Sequence, residues 1–109
     1  MPTVYKVLGQ SNPAATTNTT LYTVPAGNST VVSTITVCNQ IGTAANFRIA
    51  VQPAGASISN QHYINFDTQI PANDQIALTM GITLAATDVV TVYANTANVS
   101  FSMFGTELF

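Results

Sequence analysis

Apolar and polar residues alternate with a period of two along several short stretches of this chain. Phe47, Ile49 and Val51 fall on one side of their segment, with Arg48, Ala50 and Gln52 on the other. Ile64 and Phe66 likewise oppose Asn65 and Asp67. Ile76, Leu78 and Met80 oppose Ala77 and Thr79, and Val99, Phe101 and Met103 oppose Ser100 and Ser102. Successive side chains of a strand point to opposite faces, so each stretch reads as a strand with one buried and one wet face. Extending outward from these anchors predicts about eight strands: Val4 to Gly9, Thr20 to Val24, Thr30 to Asn39, Asn46 to Gln52, His62 to Asp67, Gln75 to Met80, Val89 to Asn95 and Val99 to Phe104.

Turn chemistry separates them. Asn12-Pro13, Pro25-Ala26-Gly27-Asn28, Ile41-Gly42-Thr43, Pro53-Ala54-Gly55, Pro71-Ala72-Asn73-Asp74 and Asn95-Thr96-Ala97-Asn98 carry the Gly, Pro, Asn and Asp residues that supply fixed or positive φ. No window sustains a helical apolar period. Short strands with frequent turns predict an all-β fold, a single antiparallel β-sandwich of jelly-roll or immunoglobulin-like type. At 109 residues the chain is expected to form one domain over residues 1–109. Asp74 and Asp88 lie just before apolar strands, where a carboxylate accepts backbone N–H groups and fixes the entry turn.

Composition changes the picture in one respect. The chain is 47% hydrophobic, so it can build a core, but only 6% of its residues are charged, against about 25% in an ordinary domain. Two cations and four acids leave a formal net charge of −2. Charge keeps copies of a protein apart, and open sheet edges are usually guarded by it. A sandwich with one Lys and one Glu is therefore expected to have faces or edges covered by neighbouring chains. No run approaches the roughly 20 apolar residues of a membrane-spanning helix, and the start, lacking a basic-then-apolar pattern, is expected to be a mature cytoplasmic one or one already processed. Cys38 is the only cysteine, which rules out an intramolecular disulfide; its strand setting predicts a small buried hydrophobe.

The inventory of reactive groups is short. His62 is the sole histidine, and neither Ser57 nor Ser59 lies in a nucleophile-elbow sequence. A partly exposed strand position is expected for the imidazole. Asp74 and Asp88 have architectural roles, and Glu107 sits near the end of the chain, so paired carboxylates for hydrolysis or a calcium cage are not expected. No catalytic, cofactor or metal residues are assigned. Two cations cannot make the basic patch that nucleic acid requires. Contact residues are expected instead among Tyr5, Tyr22, Tyr63 and Tyr93, which supply area and a hydrogen bond together, and at the apolar terminus Leu108-Phe109. The competing possibility is that these side chains pack on their own sandwich.

A resemblance runs over nearly the whole chain. It rests on Lys6-Val7-Leu8-Gly9-Gln10, Leu21-Tyr22-Thr23-Val24-Pro25-Ala26-Gly27 and Thr36-Val37-Cys38-Asn39 in the first part. In the C-terminal third it rests on Ile70 to Leu78, Gly81 to Val90, Val92-Tyr93-Ala94 and Phe101 to Glu107. With these strand-and-turn motifs the chain resembles the small β-sandwich virion structural proteins of tailed bacteriophages, including those of cyanophages. The resemblance implies a non-enzymatic capsid cement or decoration subunit, a homo-oligomer and most simply a trimer. Its partner would be the phage major capsid protein, and it would sit on the capsid surface after assembly in the host cytoplasm. The alternative is a tail-fibre, neck or receptor-binding β module whose loops around Asn12, Pro53 to Gln61 and Asn95 to Asn98 recognise a host glycan.

Overall fold

A computed structural model describes residues 2–79 and 81–109. Within them nine strands form: β1 (Thr3–Ser11), β2 (Thr19–Thr23), β3 (Ser29–Asn39), β4 (Ala45–Gln52), β5 (Tyr63–Ile70), β6 (Gln75–Leu78), β7 (Ile82–Leu84), β8 (Val89–Ala94) and β9 (Val99–Leu108). All pairings are antiparallel. One sheet, here sheet A, has the order β1-β9-β3-β6, with β7 also paired to β3; sheet B has the order β2-β8-β4-β5. The chain changes sheet at every connection except β4 to β5 and β6 to β7. That is the strand order of a jelly roll. An immunoglobulin arrangement would set the first two strands side by side in one sheet, and here they lie in opposite sheets.

The predicted strands are present, with β1, β5 and β9 extended and one strand added. β9 continues to Leu108 and β5 to Ile70, so each adds ladder bonds beyond the alternating stretch that revealed it. The added strand is β7. Gln75–Leu78 pairs with Ile35 to Cys38, and Ile82–Leu84 with Thr30 to Val32, so β6 and β7 are two halves of one interrupted edge. The interruption faces a bulge in β3 between Val32 and Thr34. Met80, assigned from its alternation to the end of the sixth strand, lies outside the described residues.

Between the sheets runs one continuous apolar core. Val32, Ile35 and Val37 of β3 and Val99, Phe101 and Met103 of β9 face Phe47 and Ile49 of β4 and Val90 and Val92 of β8. Phe47 and Phe101 meet edge to face with centroids 6.1 Å apart. Burial of each such large side chain is worth about 1.5–3 kcal/mol. Gly105 permits the tightest backbone approach, since a Cβ there would stand 2.2 Å from the Val31 carbonyl oxygen. Any side chain at that position pushes β3 away from β9.

Polar groups lock the turns. Asn39, fully buried at the end of β3, donates its amide to the carbonyls of Thr43 and Pro71 at 2.9 and 3.1 Å and accepts the Ile41 N–H at 3.2 Å. One side chain thus ties the β3–β4 turn to the β5–β6 turn. Asp88 accepts the N–H groups of Ala85 and Ala54, each at 2.8 Å, and Asp74 accepts the Gln75 N–H at 2.8 Å. The strand-entry role read for both acids from their positions is the one they perform.

Two residues at one end of the sandwich depart from expectation. Tyr22, assigned to an outer contact face, is only 8% exposed, and Glu107 is 6% exposed rather than loose near the terminus. Both point between the sheets. The Tyr22 hydroxyl donates to Glu107 Oε2 and lies 2.9 Å from Thr30 Oγ1, while Lys6 Nζ approaches Glu107 Oε1 at 3.1 Å. This closes the open end of the sandwich with a network from β1, β2, β3 and β9. The Tyr22 hydrogen bond, helped by Lys6, holds the Glu107 carboxyl below the usual glutamate range against the opposing effect of burial. Burial first, then Glu107, pushes the Tyr22 phenol up to about 12.

The signs of these shifts set the pH response. Glu107 binds its proton more weakly folded than unfolded, so its stabilisation is complete above the ordinary glutamate range and drains away as pH falls through the depressed folded value. Tyr22 is the reverse case, and its contribution is lost as pH rises from about 10 towards about 12. Urea titrations are expected to show Tyr22→Phe destabilised by about 1.5–3 kcal/mol near neutrality, the worth of a hydrogen bond to a charged group. The same variant should lose the alkaline decline, and Glu107→Gln the part of the acid decline that Glu107 causes.

Candidate interaction surfaces

The outer face of sheet A carries an apolar end. Cross-strand register places Tyr5, Thr106 and Val31 in one row, Val7, Phe104 and Thr34 in the next, and Thr3, Leu108 and Ser29 in a third. Bulges at Leu8 in β1 and Ser33 in β3 bring these rows into line, because each extra residue flips the side chains that follow. Tyr5 is 82% exposed, Val7 and Val31 are exposed, and Phe104 and Leu108 are half-buried. The Phe109 N–H bonds to the Pro2 carbonyl at 3.1 Å. Of the predicted contact residues, Tyr5 and Leu108 therefore share one surface, and Phe109 is exposed at the end of β9.

That surface adjoins a free edge. β1 pairs only with β9 among the described residues, so its outer backbone groups face solvent. Lys6 is the one charge along it, and Glu107 neutralises that charge. Apolar exposure on an edge strand with its lysine engaged is what proteins normally avoid.

A different cluster holds Tyr63 and Tyr93, on the outer face of sheet B. Arg48 lies opposite Tyr93 in the β4–β8 register. Its guanidinium stands 4.1 Å from the Phe66 ring centroid and 4.3 Å from that of Tyr93, and it grips Asp67 through Nε at 2.7 Å and Nη2 at 3.2 Å. Tyr63 meets Phe66 edge to face at 5.0 Å. The ion pair raises the Arg48 pKa further and holds the Asp67 carboxyl below its ordinary value, the hydrogen bond being the main cause in both. Asn60, Tyr63 and Phe66 line an open cleft of about 380 Å³.

This cluster exists because β5 breaks its alternation. Between Phe47 and Ile49 the partner register jumps from Thr68 to Asn65, so Phe66 and Asp67 together oppose Arg48; a second shift follows beside Ile64. Asp67 takes a left-handed φ of 50° to make the bulge, a conformation that Asp tolerates better than most residues. The apolar pair Ile64 and Phe66, expected to face the core, is consequently exposed, Phe66 at 55%. Ala50, expected on the wet face, is buried.

Other expected positions shift as well. Cys38 is half-buried on the outer side of β3, in register with Ser100 and Gln75, rather than in the core. His62 is buried in a 3-10 turn (Asn60–His62) rather than partly exposed on a strand, and its Nδ1 accepts the Ser59 backbone N–H at 3.1 Å. Among the described residues no three His, Cys, Asp or Glu side chains converge. No protein-family model matches the chain, and no curated protein matches it significantly.

Arg48 is the residue that sequence reading passed over. Its only advance signal was its position, a lone cation between two aromatic-bearing strands. A double-mutant cycle over Arg48→Ala and Asp67→Ala should return a small favourable coupling that shrinks as salt is raised, since both groups are solvated. In NMR spectra Arg48→Ala should also shift the ring protons of both Phe66 and Tyr93; a change at only one ring would contradict the sandwiched geometry.

Proposed function

We propose that the chain is a non-enzymatic structural subunit of a tailed-phage virion, a cement or decoration protein on the capsid surface that contacts the major capsid protein and other copies of itself. One observation carries this reading: the charge is consumed internally while an apolar sheet end and a bare strand edge are left outside. Lys6 serves Glu107, Arg48 serves Asp67, and Asp74 and Asp88 cap turns. The net charge left to hold neighbours away is the −2 of those two acids.

The jelly roll supports the reading in a second way, since it is an architecture common among capsid domains, although fold alone assigns no function. A trimer also suits the geometry. Three-fold closure needs two unlike surfaces in contact around a ring, and sheet A offers the β1 edge on one side and the interrupted β6–β7 edge on the other. Each contact can be modest because symmetry repeats it across the shell.

Particles assembled without the protein should rupture at lower temperature than complete ones and regain their resistance when it is added back. Tyr5→Lys combined with Val7→Lys should leave the melting temperature of the isolated protein nearly unchanged, both side chains being exposed, yet abolish retention on particles in a co-sedimentation assay. Equally robust particles without the protein, or undiminished retention of the variant, would contradict the cement role.

A further inference from the structure

We propose that the cleft beside β5 binds an uncharged glycan, one sugar ring resting against Tyr63 and Phe66 with its hydroxyls bonded to the Asn60 amide and the Tyr63 hydroxyl. This is independent of where the protein acts. It rests on the geometry of sheet B alone.

Four features point to that chemistry. First, the rings are held in place before any ligand arrives. Arg48 covers one side of Phe66, the Tyr63 and Phe66 rings meet nearly at right angles, and Asp67 pins Arg48 from the neighbouring position of the bulge. A ligand then meets a surface that loses little freedom on binding. Second, the cleft of about 380 Å³ is open and of the order that small-molecule sites occupy. It lies beside β5, the last strand in the order of sheet B.

Third, the charges cancel. Among the described residues the ions at the cluster are Arg48 and Asp67, joined by two hydrogen bonds, so an anionic or cationic ligand finds no unpaired counterion there. Fourth, polar groups stand ready beside the rings. The Asn60 amide and the Tyr63 hydroxyl make no side-chain hydrogen bonds among the described residues. The amide both donates and accepts, as does the phenol. A purely apolar ligand would cover these groups without satisfying them. A pyranose satisfies both demands, offering a face of C–H groups to an aromatic ring and a rim of hydroxyls that donate and accept.

The test uses the full chain on an array of neutral and acidic glycans, followed by NMR titration with the strongest neutral oligosaccharide. Saturable binding of a neutral glycan is expected, with shifts centred on Asn60, Tyr63 and Phe66. Phe66→Ala and, separately, Asn60→Ala should each weaken it by about tenfold, the worth of one stacking or hydrogen-bonding contact. Asn60 is an exposed turn residue, so its variant reports on the cleft even if Phe66→Ala disturbs β5. Binding of acidic glycans only, binding unchanged in both variants, or no saturable neutral ligand would overturn the proposal. So would a shift of oligomeric state in Phe66→Ala without any glycan effect, which would make the cluster a protein contact.

Discussion

The constraint on which this molecule turns is its scarcity of charge, combined with the way each charge is used. Six ionic side chains on 109 residues would ordinarily be spread over the surface. Here two pair with two others, and the remaining acids hold backbone N–H groups at turns. The Lys6–Glu107 pair shows the consequence most clearly. Glu107 is buried under the Tyr22 hydroxyl, so the lysine that might have guarded the β1 edge is drawn to an internal partner. The network that closes the end of the sandwich leaves the adjoining edge unprotected.

Bulges distribute the two surfaces. In β1 and β3 they align Tyr5, Val7 and Val31 on the outside of sheet A; in β5 they turn Phe66 outward to stack on Arg48. An extra residue inserted into a period-two pattern inverts everything beyond it. Each bulge therefore moves apolar side chains from the core side to the solvent side without altering the composition of the strand. Sheet A gains an exposed apolar surface, and sheet B gains an aromatic cleft.

The same bulges explain what was legible in the sequence. Where alternation runs unbroken, as in Phe47 and Ile49 or Val99, Phe101 and Met103, the inward face was read correctly because burial enforces the pattern. Asp74 and Asp88 were legible because turn chemistry is local. Tyr22 was not, since its partner Glu107 is 85 residues away, and a phenol that reaches a buried carboxylate looks no different in sequence from one that faces water. Ile64 and Phe66 misled for the opposite reason. Their alternation was sound, but two register shifts against β4 reversed its meaning, and such shifts depend on the partner strand.

If the exposed faces exist to meet other chains, association should be apolar and hydrogen-bonded rather than ionic. Sedimentation of the purified protein over a wide range of concentration, at low and at high salt, tests this most directly. The account requires concentration-dependent oligomers whose stability is unchanged or increased by salt, because screening weakens only contacts between charges. A species that stays monomeric at every concentration, or oligomers that dissolve as salt is raised, would contradict it.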